Sequence, residues 1–175
     1  MSNFYKDNSD IKKTVEGLGL DEVAALLEED FKFAGQYDFA PKNASEAVDN
    51  YLRALEIAGE ITGNRIAPTA ENTDQTGNVL NEDGSVTYAP GISLALKLFG
   101  QAGLMGVQIP YYLGGLNMPC VVMTAINDMV SRADASLMNM IGLQGIADTI
   151  NMFADEETKK KNASTDYGKI AKAIG

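Results

Sequence analysis

Val48, Leu52, Leu55, Gly59, Thr62 and Ile66 recur along the chain at alternating spacings of four and three. That is one stripe of an α-helix. The helix opens at Asn43, with Glu46 three residues on in a capping-box arrangement, and is expected to run to about Pro68. Gly59 lies within the stripe, where glycine costs roughly 1 kcal/mol relative to alanine. A backbone passing close by would account for it, and a crossing helix is expected there.

Upstream, residues 9–31 read as two short helical pieces separated by Gly17 and Gly19. The second is expected to be capped by Asp21 and to turn Val23, Leu26, Leu27 and Phe31 to one side, leaving Glu28, Glu29 and Asp30 in solvent. Downstream, 71–90 is a polar connection with a turn at Asp83-Gly84 and a short extended piece at 86–88. Leu94, Leu98 and Phe99 mark a helix closed by Gly100 and Gly103. The segment GLMGVQIPYYLGGLNMP (103–119) is a loop rich in glycine and proline yet apolar. A helix from about Cys120 buries Val122, Ile126, Met129 and Ala133. Another, 137–154, buries Met140, Leu143, Ala147 and Ile150. No strand of useful length and no internal repeat appears, so the fold class is all-α, an orthogonal or up-down bundle of five or six helices.

The last helix carries a second apolar face. Met138, Ile141, Gly142 and Gly145 follow at spacings of three, one and three, outside the core stripe. A helix apolar on all sides must be covered on all sides, so this face is enclosed by the bundle or borders a cavity or a partner.

Charge and composition narrow the chemistry. The 175 residues are 45% hydrophobic, with a formal net charge of −10. That is enough apolar material for one core, and it gives no positive footprint for nucleic acid or anionic membrane. There is no histidine and one cysteine, Cys120. Ser-His or Cys-His catalysis, a His/Cys zinc site and an intrachain disulfide are thereby removed, and no metal site is expected. Cys120, between Pro119 and Val121, reads as a small buried hydrophobe. No apolar run approaches the ~20 residues of a membrane span, which together with the cysteine usage points to the cytoplasm. Gly17 and Gly19, like Gly114 and Gly115, follow no strand and precede no phosphate-binding lysine, so no nucleotide loop is read there. No residue presents as a nucleophile or general base, and no catalytic residue is assigned.

Three stretches together carry a family likeness. The loop 103–119 resembles the Gly-x-x-Gly, Pro, Gly-Gly loop of acyl-CoA dehydrogenases. SRADASLMNMIGLQGIADTINMFADEETKKK (131–161) is similar to the helix pair that follows it, with an Arg-x-Asp-Ala-Ser-like turn and a helix ending in acids and lysines. NFYKDNSDIKK to EDF resembles the N-terminal extension of one subgroup. The likeness covers residues 3–161. It implies an extension at 1–40, the N-terminal helical domain at 41–161, and a tail at 162–175 unlike the family. Leu113 stands where the family usually has an aromatic, and the family's flavin loop, β-domain, second helical bundle and catalytic glutamate are absent from this sequence.

The resemblance implies α,β-dehydrogenation of an acyl-CoA thioester by FAD in the complete enzyme, with an electron-transferring flavoprotein as acceptor. This chain is expected to supply acyl-pocket walls at Met138, Ile141, Gly142 and Gly145 and a loop near substrate at Gly114 and Gly115. Alone it is expected to be inactive and to retain no flavin, and to associate with itself or with the missing domains. The alternative is a non-catalytic helical module that binds a partner protein or an acyl-CoA.

Overall fold

The structure, a computed structural model, describes residues 2–162; of the tail expected at 162–175, only Asn162 falls among them. Helical segments account for most of the described chain: α1 (Ser9–Glu16), α2 (Leu20–Leu27), α3 (Ala44–Ile61), α4 (Ala70–Thr76), α5 (Pro90–Gln101), α6 (Cys120–Ala133), α7 (Met138–Ile141), α8 (Gln144–Phe153) and α9 (Glu156–Asn162). Six of these have eight residues or more. The only sheet among the described residues pairs β1 (Val79–Leu80) with β2 (Val86–Thr87), antiparallel, Val79 opposite Thr87. The fold is all-α, as the periodicity requires.

Of the stripe predicted along α3, the later positions are buried, while Val48 and Leu52 are half-buried at its edge. Asn43 accepts a hydrogen bond from the Glu46 N–H at 3.0 Å, and the Glu46 carboxylate accepts from the Lys42 N–H, a capping box displaced by one residue. Leu55, Gly59, Thr62 and Ile66 are buried, joined by Ala47, Tyr51, Ala54 and Ala58. The α-helix does not continue to Pro68. It ends at Ile61 and passes through a π-turn (Thr62–Ile66) and a 3-10 turn (Ala67–Thr69) into α4. Thr62 Oγ1 donates to the carbonyls of Ala58 and Gly59, a side-chain insertion of the kind that bends helices. Pro68 fits at the start of the new turn, where its missing N–H is not needed.

What crosses Gly59 is not a helix but the N-terminal arm. The Phe4 N–H donates to the Gly59 carbonyl at 3.0 Å. A Cβ on Gly59 would lie 2.6 Å from the Tyr5 nitrogen, and one on Gly63 would lie 2.6 Å from the Ser2 carbonyl oxygen. The Arg132 guanidinium of α6 sits 4.1 Å over the Phe4 ring. Phe4, Tyr5, Val15, Leu20 and Ala24 thus join the same core as Leu55, Phe99, Ile126, Met129, Leu137 and Ile141.

Three further expectations are corrected. α2 starts at Leu20, because Gly19 takes the left-handed conformation (φ 58°) at the cap while Asp21 lies inside the first turn; its buried residues are Leu20 and Ala24, and Leu26 is 81% exposed. Cys120 is exposed rather than buried, since α6 buries Val122, Met123, Ile126 and Met129 on the opposite side. The helix expected over 137–154 is two helices. Between them the hydrogen bonds run three residues back, Leu143 to Met140, Gly145 to Gly142 and Ile146 to Leu143. This tighter winding rotates everything downstream relative to an α-helical count. Ahead of this turn Leu137 and Ile141 are buried and Met140 half-buried; from it onward Leu143 is 50% exposed, Ala147 buried and Ile150 half-buried.

Candidate functional site

The second apolar face of the last helices divides in the folded chain. Ile141 is wholly buried and belongs to the core, while Met138 and Gly142 are half-buried and Gly145 is exposed. A Cβ built on Gly142 would lie 2.9 Å from the Met138 carbonyl oxygen and 3.4 Å from the Met138 side chain, whereas one on Gly145 meets, among the described residues, nothing within 4 Å beyond its own helix backbone. Gly145 is thus not held as glycine by packing. Around it Leu143, just before α8, and Ile146, Met152 and Phe153 of α8 face the outside, Phe153 at 79%. Among the described residues this is a bare apolar wall, of the kind that marks an interface or binding surface.

Against one end of that wall lies the loop 103–119, which is tightly folded. The N–H groups of Leu116, Asn117 and Met118 donate to the carbonyls of Gly106, Ile109 and Val107 at 2.8–2.9 Å. The two glycines of the pair do different things. Gly114 adopts φ 86° with open space beside it, as a turn requires. Gly115 is buried, and a Cβ there would lie 2.5 Å from the Ile109 carbonyl carbon. The loop is fastened to α8 twice: Gln144 accepts from the Val107 N–H (3.2 Å) and donates to the Leu104 carbonyl (3.3 Å), and the Tyr112 hydroxyl donates to Asn151 Oδ1 at 2.5 Å.

On its other side the loop meets a group that reading the sequence misses. Glu28, expected in solvent, is 0% exposed. Its Oε1 accepts from the Tyr111 hydroxyl at 2.8 Å and from Asn117 Nδ2 at 3.3 Å, while Oε2 has no partner among the described residues. The Tyr111 ring stacks on Tyr37 (5.5 Å) and meets Phe33 edge-on (5.8 Å). The three residues after Glu28, namely Glu29, Asp30 and Phe31, all have positive φ (48°, 56°, 63°), as does Asn117 (49°). For Glu29 and Phe31 this costs roughly 1–2 kcal/mol each, while Asp30 and Asn117 are types that visit the left-handed region more readily, so the surrounding contacts hold the Glu28 end of this bridge against backbone strain. No local sequence signal marks Glu28, because its donors lie 83 and 89 residues away.

Burial raises the Glu28 carboxyl above the ordinary glutamate range, outweighing the opposite effect of the Tyr111 and Asn117 hydrogen bonds. Tyr51 is pushed up to about 12, first by burial and then by the Glu28 charge. A raised folded-state pKa means that the native chain holds its proton to higher pH than the unfolded chain does. Glu28 therefore favours folding most below the unfolded value, and that contribution falls as pH rises through the folded one. Glu28→Gln keeps an acceptor for Tyr111 and removes the titration. The stability of wild type minus that of Glu28→Gln is expected to decline across this span and then level off, as read by urea denaturation at a series of pH values. A flat difference would contradict the burial argument.

Neither glycine loop fits a dinucleotide phosphate. The 103–119 loop contains no lysine or arginine, and the space at Gly115 is taken by Ile109; Gly17 packs on the Lys13 carbonyl at the end of α1. Among the described residues no His/Cys/Asp/Glu group is arranged to hold a metal. No described helix is long and apolar enough to cross a membrane.

Residues 52–163 match the family model described as acyl-CoA dehydrogenase, N-terminal domain. The chain is 34% identical over 89 residues to 3-methylmercaptopropionyl-CoA dehydrogenase of Ruegeria pomeroyi. That alignment covers 51% of this chain and 15% of the relative's length.

Proposed function

The chain belongs to the acyl-CoA dehydrogenase family, by its N-terminal domain, and from that premise we propose that it forms the helical wall of an acyl-CoA site without supplying the reacting groups. The observation that carries this reading is the bare face around Gly145: a glycine in the first turn of α8, beside open space and flanked by exposed Leu143 and Ile146. In this reading Met138, Gly142 and Gly145 border the acyl group, Ile141 backs them from the core, and the Gly114-Gly115 loop lies near the substrate. Residues 1–40 act as an extension docked on the domain at 41–161.

The reaction of the complete enzyme would be α,β-dehydrogenation of an acyl-CoA thioester, for which FAD would supply the hydride acceptor, a glutamate would take the α-proton and an electron-transferring flavoprotein would take the electrons onward. This chain's part is to bind, to orient and to exclude water. Glu28 is the one wholly buried carboxylate among the described residues, and Tyr111 and Asn117 cover it, so it does not reach a substrate carbon. The rest of the α8 face, Met152 and Phe153 included, is the surface for further domains of the enzyme or for a second copy of the chain. A helical module that only binds a partner protein would use the same surface.

The purified chain is expected to be helical and colourless, with no turnover of acyl-CoA in the presence of an artificial electron acceptor. The measurements are an absorption spectrum and an acceptor-reduction assay. FAD retained in stoichiometric amount, or any turnover, would overturn the division of labour.

A further inference from the structure

We propose that Glu28 is a positioning residue: from the N-terminal extension it sets the 103–119 loop and, through that loop, the placement of α8 and its apolar face. The route is continuous. Glu28 Oε1 accepts from Tyr111 and Asn117, which lie on opposite arms of the loop. Between them the loop closes on itself through the Gly114 and Gly115 N–H groups, which donate to the Tyr111 and Pro110 carbonyls, and the Asn117 N–H, which donates to Ile109. On its far side it is tied to α8 at two places, by Gln144 to Leu104 and Val107 and by Asn151 to Tyr112. Tyr111 and Tyr112 are adjacent, so a shift of one moves the other. Exposed Tyr112 takes the α8 tie while buried Tyr111 takes the Glu28 tie.

Two features set this arrangement apart from ordinary core packing. A wholly buried carboxylate with one oxygen unpartnered among the described residues is a costly way to fasten a loop, and an apolar residue of that size would pack more simply. The backbone is also left-handed on both sides of the bridge, at 29–31 and at Asn117. Strain of this kind clusters where a conformation must be specified. The naming of the α8 face as an acyl wall rests on the function proposed above; the coupling from Glu28 to α8 does not.

The test is amide hydrogen exchange on the full chain, comparing wild type, Glu28→Ala and Glu28→Gln. Glu28→Ala is expected to speed exchange on the order of tenfold in the loop and at 144–151 of α8, with the protected amides of α3 and α6 unchanged. Glu28→Gln, which still accepts from Tyr111, is expected to restore the wild-type pattern. A uniform increase at every amide, or an increase confined to 24–32, would reduce Glu28 to a structural residue and overturn the proposal. Should Glu28→Ala fail to fold, Tyr111→Phe carries the same test: it removes the donor and keeps the ring against Tyr37 and Phe33. Unchanged exchange in α8 then counts against the coupling. Failure here leaves the acyl-wall reading standing, since that reading is tested separately by substitution at Gly145.

Discussion

Gly59→Ala is expected to destabilise the chain by about 2–3 kcal/mol, in the range of overpacked cores, although alanine is the better helix former by roughly 1 kcal/mol. The reason is the arm laid across α3. A methyl group at Gly59 would lie 2.6 Å from the Tyr5 nitrogen, so backbone rather than a flexible side chain must move. With it go the Phe4 N–H bond to the Gly59 carbonyl, the Asn3 bond to the Glu56 carbonyl at 3.0 Å and the Ser2 N–H bond to Asn64 at 2.8 Å. Phe4 would also leave the Arg132 guanidinium. Urea denaturation measures the loss, and limited proteolysis near the N-terminus is expected to become faster. Gly145→Ala, with open space at its Cβ, is the matched control and should not destabilise. Equal stability of Gly59→Ala and wild type would show that the arm is not held as described.

Gly145→Leu, placed at the equivalent position of a complete homologous enzyme, is expected to lower kcat/KM for long or branched acyl-CoA substrates by about 10²-fold, while short substrates change by less than about tenfold. The substitution is well suited to the question because, among the described residues, nothing beyond the helix's own backbone lies within 4 Å of the Cβ position. Folding of this chain should therefore survive it, so a loss of turnover reports on the space outside α8. Gly142→Leu is a poorer probe, since its Cβ already meets the Met138 side chain. If every substrate is turned over as before, the acyl group does not approach Gly145, and the wall has another occupant.

Much of the fold is legible along the chain. The four-and-three alternation from Val48 to Ile66 places the buried side of α3, and Val122, Ile126, Met129 and Ala133 place that of α6. Helical periodicity is a local property and serves well along α6, but in α2 it misplaced Leu26, which is 81% exposed although the winding stays α-helical. Where winding changes, the count slips. The three-residue hydrogen bonds at 143–146 turned Leu143 outward, and Ile141, read as a pocket residue, went to the core. Glycine signals told that something passes close, as at Gly59, but not what.

Sequence alone thus determined the all-α class, the main helices, the absence of histidine chemistry and the family likeness, because each depends on neighbours within a few turns or on residue types present. Tertiary structure alone decided that the N-terminal arm rather than a helix covers Gly59, that Cys120 faces outward and that Glu28 is buried. Glu28 illustrates the physical reason. In sequence it opens a run of three acids, Glu28 to Asp30, which favours water. Only the folded chain brings Tyr111 and Asn117 to it, and two hydrogen bonds from distant residues turn a carboxylate that would be solvated into one fixed within the protein.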